Sequence, residues 1–145
     1  MKGRLAALQS KNIPLRLRQF ERISDPPFVF AVAKAVVTGK IAICAEVLAR
    51  HQRNHPECSL RNEISQLSAL GDRVGQIQTM DSLRGVEGQA AAVYFQGFAR
   101  MLRRGMQVQR RTRRPPTDPV NSLLSFGYTL LYNALGCARR FMIRP

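Results

Sequence analysis

Glu87 is the residue whose placement most invites chemistry. If the chain around it is helical, it shares a face with Ala91, Tyr94 and Phe98, the apolar side of that helix. An acid facing a core needs a partner. Arg84, one turn earlier, offers an ordinary salt bridge, and an acid in a first turn also complements the helix dipole. Asn121, Ser125, Tyr128 and Tyr132 form a second group, spaced by four, three and four so that they stack along one helix face. They would either hydrogen-bond between packed helices or contact a phosphate beside Glu87. Between Arg100 and Pro116 lie Arg103, Arg104, Arg110, Arg111, Arg113 and Arg114. Each guanidinium matches the fork geometry of a phosphate, so this stretch reads as a mobile basic loop able to clamp a duplex with little sequence reading. Arg113 and Arg114 adjoin the turn that follows and are the preferred phosphate contacts; the competing reading is a solvated charge run. His51 and His55 sit four apart with Cys58 close behind. A structural zinc site wants four ligands at finger-like spacing, which this group lacks, so the histidines are assigned to a helix end or to solvent.

Helices are the elements that must position these groups. Ser24-Asp25-Pro26-Pro27 supplies capping side chains and then prolines suited to a first turn. The helix that follows is predicted to run to about His55-Pro56, with Phe28, Val32, Ala35, Val36, Gly39, Ile43 and Val47 on its apolar face. Leu60, Ile64, Leu67, Leu70, Val74 and Ile77 mark an amphipathic second helix. A third starts at Asp81-Ser82 and reaches about Leu102, and a fourth opens at Thr117-Asp118-Pro119. Ahead of them Ile13 to Leu17 alternates like a strand but has no partner, and a lone strand cannot satisfy its edges. The expected fold is all-α, a four-helix core with an N-terminal stub over residues 1–24 and a helical domain over 25–145.

Composition narrows the partners. With 23 Lys+Arg against 9 Asp+Glu the net charge is +14 and the isoelectric point about 11.3, so nucleic acid is the first partner to consider. Cys44, Cys58 and Cys137 are odd in number and form no CxxC pair, which fits free thiols in a reducing cytoplasm. The most apolar windows, within Phe28 to Ala49 and Val120 to Ala138, are interrupted by Lys34, Lys40 and Glu46 and by Asn121, Ser125, Thr129 and Asn133. A membrane span wants about 20 mostly apolar residues, so both windows read as core helices and no membrane is expected.

Two blocks go further. SLRGVEGQAAAVYFQ, from Ser82 to Gln96, and RRTRRPPTDPVNSLLSFGYTLLYN, from Arg110 to Asn133, resemble the helical domain of the CRISPR-associated spacer-acquisition endonuclease/integrase family. That family has a Gly-x-Glu-Gly/Ala helix, an Arg-rich stretch ending in Pro-x-Asp-Pro-x-Asn and a helix with Leu-Ser-x-Gly-Tyr. KNIPLRLRQFERISDP, from Lys11 to Pro26, resembles the junction with the family's β-rich N-terminal domain. The resemblance implies a cytoplasmic DNA endonuclease/integrase of antiviral defence that inserts foreign DNA as spacers. It implies Mg²⁺ or Mn²⁺ held by Glu, His and Asp, and a homodimer that works with a small ferredoxin-like subunit. Glu87 matches the acidic ligand, and Asn121, Tyr128 and Tyr132 are carried over as catalytic positions; on charge rather than resemblance, Arg84, Arg110, Arg111, Arg113 and Arg114 are assigned as DNA contacts. In the family the His and Asp lie beyond the helix matching Val120 to Asn133, and no histidine follows His55 here. The chain therefore reads as cut at both ends, inactive alone and poorly soluble through exposed apolar surface. The alternative reading is a non-catalytic basic DNA- or RNA-binding module.

Overall fold

Five helices make up the computed structural model, which describes residues 13–102, 106, 108, 111–112, 115–116 and 118–141, with backbone alone for 136–141. The segment that alternates like a strand is instead the start of α1 (Ile13–Ile23). The reason is physical: a helix satisfies its own backbone, Pro14 sits in the first turn where no N–H is missed, and Leu, Arg, Gln and Glu are good helix formers. Asp25 then caps α2 (Pro26–Asn54), accepting the Phe28 N–H at 3.3 Å, with Pro26 and Pro27 in the first turn.

Three helices carry the core. α2, α3 (Arg61–Val74) and α4 (Met80–Met101) pack on one another, and α1 lies against α2. Ile41 and Leu48 of α2 meet Leu67, Leu70 and Val74 of α3, with Leu60 just before it, and Leu83, Val86, Ala90 and Val93 of α4. Fully burying such an aliphatic side chain stabilises the fold by about 1.5–3 kcal/mol.

The sequence assigned α2 the wrong inner face. Phe30, Ala33, Val37, Ile41, Cys44 and Leu48 face the core, while Phe28, Val32, Val36, Ile43 and Val47 are exposed. Because α2 is apolar on both sides, periodicity could not choose between them; α3 and α4 do. By length and composition α2 could also cross a membrane, yet one side of it builds this core. α5 (Pro119–Phe141) departs from the expected core helix too: Val120 and Asn121 are buried, but Leu123, Phe126, Leu130, Leu131 and Leu135 are more than half exposed.

Helix ends are tied across the bundle. Lys34 donates to the carbonyls of Gly75 at 2.7 Å and Ile77 at 3.0 Å, placing a cation at the negative end of α3. Gln52 accepts the Leu60 N–H at 2.7 Å. Thr79, not Asp81 or Ser82, caps α4 by accepting the Ser82 N–H at 3.2 Å. Glu63, buried in the first turn of α3, accepts from Arg100 at 2.6 Å. Sequence reading passed over this bond because the partners are 37 residues apart.

Candidate functional site

α2 and α4 form one wall of a cleft of about 460 Å³ that holds Glu87, Lys40 and Cys44. Glu87 and Ala91 are one turn apart on α4, with Tyr94 a further turn on. Lys40 and Cys44 are one turn apart on the neighbouring α2. Arg111 and Tyr128 close the opposite side. A second space of about 560 Å³ continues along α5, sharing Lys40, Arg111 and Tyr128 and adding Ser125 and Tyr132.

Glu87 does not face a closed core. Its side chain is 37% exposed at the cleft edge, and Oε1 accepts the Lys40 ammonium. The partner offered by the sequence, Arg84, is bound to Asp81 at 3.2 Å and is 75% exposed on the outer side of the first turn of α4. Lys40 went unseen because it is 47 residues away on another helix. The one signal was a cation inside a long apolar run.

The second group converges on Arg111. Its Nη1 donates to Asn121 Oδ1 at 2.9 Å, Nη2 donates to Ser125 Oγ at 3.1 Å, and its guanidinium lies 5.7 Å from the Tyr128 ring centre. Asn121 is fully buried. Its Oδ1 also accepts the Thr112 N–H at 3.0 Å, and its amide nitrogen donates to Asp118 Oδ2 at 2.6 Å. Asp118 Oδ1 accepts the Asn121 N–H at 2.7 Å, capping α5. So residues 111–112 are fastened to α5, in contrast to the mobile loop expected there. Arg110, Arg113 and Arg114 lie outside the described residues. Tyr128 and Tyr132 are 58% and 78% exposed, with Tyr132 lining the continuation of the cleft.

Electrostatics follows this geometry. Burial pushes the Cys44 thiol above its ordinary value, with Lys40 pulling down and Glu87 pushing up. Burial also raises the Tyr94 phenol, helped by Cys44 and Tyr128. Both groups stay neutral near pH 7, so the charges of the cleft are Lys40, Arg111 and Glu87.

These side chains do not fit a divalent cation. Mg²⁺ or Mn²⁺ wants about six ligands, chiefly oxygen. Here one carboxylate lines the cleft, an ammonium already sits on it, and Arg111 adds a further positive charge. Among the described residues no three His, Cys, Asp or Glu side chains come together as a metal group. The rings of His51 and His55 meet at a 47° tilt with centres 4.5 Å apart at the end of α2, and Cys58 donates to the Arg100 carbonyl at 3.5 Å.

Comparison with known proteins gives a consistent set. The family described as CRISPR associated protein Cas1 matches residues 1–139. A CRISPR-associated endonuclease Cas1 of Thermus thermophilus is 40% identical over 127 residues, covering 88% of this chain and 36% of the relative. A second, from Moorella thermoacetica, is 35% identical, covering 91% and 40%. A Cas4/Cas1 exonuclease–endonuclease fusion of Geobacter sulfurreducens is 35% identical, covering 89% and 24%. A solved chain of a Cas6-RT-Cas1–Cas2 complex superposes with a TM-score of 0.73 at 32% identity, covering 91% of this chain and 14% of that one. The chain thus spans between about a quarter and two fifths of the length of these curated relatives.

Proposed function

This chain belongs to the CRISPR associated protein Cas1 family, and from that premise we propose that it serves spacer acquisition, as the DNA-gripping helical portion of a CRISPR endonuclease/integrase in the cytoplasm. The observation that carries this reading is the cleft that brings Glu87 of the Gly-x-Glu-Gly helix against Lys40, Arg111 and Tyr128. A cleft with two cations and one acid attracts a phosphodiester, and exposed aromatic rings beside it give bases a surface to stack on. In its working form the chain partners Cas2, as the Cas1 chains of the similar solved complexes do.

Strand cleavage is not assigned to residues 1–145 alone. The Mg²⁺ or Mn²⁺ that the family resemblance implies would need His and Asp ligands beyond Glu87, and the only histidines here, His51 and His55, are committed at the far end of α2. Asn121 acts as a positioning residue that sets Arg111, while Tyr128 and Tyr132 offer phenol and ring to the DNA. The domain division at residue 24 is kept as part of this reading, with α1 serving as the connector to whatever precedes the bundle in longer members.

A branched DNA substrate labelled on one strand tests it. The 145-residue chain should shift the DNA in a strongly salt-dependent way and leave it uncut with Mn²⁺. Cleavage lost in Glu87→Ala would overturn the assignment of turnover elsewhere, and absence of any DNA shift would overturn the DNA-gripping role. The non-catalytic DNA- or RNA-binding module remains the second reading, favoured by the ammonium on Glu87. Equal affinity for a matched RNA would support it.

A further inference from the structure

We infer that Lys40 takes the place of a metal cation at Glu87, so that Lys40 and Arg111 together form a metal-independent seat for one phosphodiester of a single-stranded or frayed DNA segment. This deepens the DNA-gripping role and rests on it.

The two lysines of the α2 interior have different tasks. Lys34 is spent on the carbonyls that end α3. Lys40, among the described residues, has Glu87 as its one hydrogen-bond acceptor, and its side chain is 48% exposed to the cleft. An ammonium has three donors, so bonding Glu87 leaves it able to meet a phosphate oxygen as well. Both partners are more than a third exposed, and such a pair is weak enough to be shared with a second anion. Glu87 thereby acts as a tether that aims the flexible lysine.

Arg111 is prepared differently. Its hydrogen bonds go to the neutral oxygens of Thr112, Asn121 and Ser125, so its geometry is fixed while its charge is not cancelled by a carboxylate among the described residues. The two spaces flanking these cations both touch Lys40, Arg111 and Tyr128. A phosphate between the cations therefore leaves its bases next to Tyr128 and Tyr132, where stacking tolerates any sequence. With Lys40, Arg111 and Glu87 charged, the cleft carries one net positive charge. A divalent ion at Glu87 would have to displace Lys40 and sit beside Arg111.

The test is a fluorescence-anisotropy titration of a labelled single-stranded oligonucleotide, with EDTA and with Mn²⁺, across a salt series. Thermal melting checks that each variant is folded. The wild-type chain should bind equally within about twofold in EDTA and in Mn²⁺. Lys40→Met should weaken binding several-fold and reduce the log–log salt slope by about one. Lys40→Arg should retain most of the affinity. Glu87→Gln should tighten binding, since it removes the competing anion. Tightening of the wild type by Mn²⁺ that Glu87→Gln abolishes would overturn the proposal in favour of a metal site. Unchanged affinity and slope in folded Lys40→Met would overturn it while leaving the DNA-gripping role standing. No binding by the wild type in any buffer would overturn both, and removes the role itself.

Discussion

Asn121 shows how much one buried amide can organise. Its side chain holds Asp118 on one side and Arg111 with Thr112 on the other, joining the cap of α5 to the guanidinium that faces the cleft. Asn121→Ala leaves buried polar partners unmatched, a loss of about 1–3 kcal/mol, felt locally in the attachment of residues 111–112. Hydrogen exchange of the Thr112 N–H, which donates to Asn121, should accelerate in the variant while α3 amides keep their protection. Cys44 gives a pH test. Burial raises its pKa above the ordinary value of 9.0, so folding favours the protonated thiol. The stabilisation is complete below the unfolded pKa and is lost as pH rises through that value toward the folded one. The thermal midpoint should fall as pH is raised past 9, and Cys44→Ala should flatten that fall; Tyr94, also raised, adds a further decline above 10. Of the residue-scale features, Glu87 stood out in the sequence as a carboxylate on a mostly apolar face. Its partner did not, because an ion pair between two helices leaves no periodic trace in either.

At the scale of elements, two glycines on α4 should respond with opposite signs. A Cβ at Gly97 would lie 2.8 Å from Leu48 Cδ1 and 3.5 Å from Glu63 Cβ. Leu48 is fully buried, so its methyl groups have nowhere to swing. Crowding of this kind costs about 1–3 kcal/mol, more than the roughly 1 kcal/mol that alanine gains over glycine in a helix interior. Gly97→Ala should therefore lower the denaturation midpoint. Gly85, on the same helix, has nothing within 4 Å of the position its Cβ would take, so Gly85→Ala should raise it by up to about 1 kcal/mol of stability. The helices themselves were legible where polarity alternates sharply: α3 declares its inner face through Leu67, Leu70 and Val74. The cap at Asp25 was equally legible. α2 was not, because apolar residues cover both of its sides, and α1 was misread because three alternating residues weigh little against helix-forming neighbours. The cap of α4 at Thr79 was missed by two residues, since Thr79, Asp81 and Ser82 are all capable caps in sequence.

For the whole molecule, the charge and the apolar surface make opposite demands on salt. A net charge of +14 draws polyanions, and that attraction weakens as counterions compete. The outer stripe of α2, with Val36 and Ile43 64% and 67% exposed, carries no such charge, and its burial against another apolar surface is strengthened by salting-out ions. Raising sulfate should therefore release DNA while increasing light scattering from the DNA-free chain. Val36→Lys with Ile43→Lys adds charge where nothing is buried, so it should suppress the scattering at high sulfate without lowering the melting temperature, because surface substitutions away from caps and buried pairs change stability by less than about 0.5 kcal/mol. Affinity for DNA should rise, because Lys40 of the cleft is one turn from Val36 and three residues from Ile43 on α2, so the added lysines stand beside the phosphate seat. Suppressed scattering accompanied by a large loss of DNA binding would show that the stripe and the cleft form one surface. Composition announced the charge at once, whereas the stripe emerged only when α3 and α4 had taken the other side of α2.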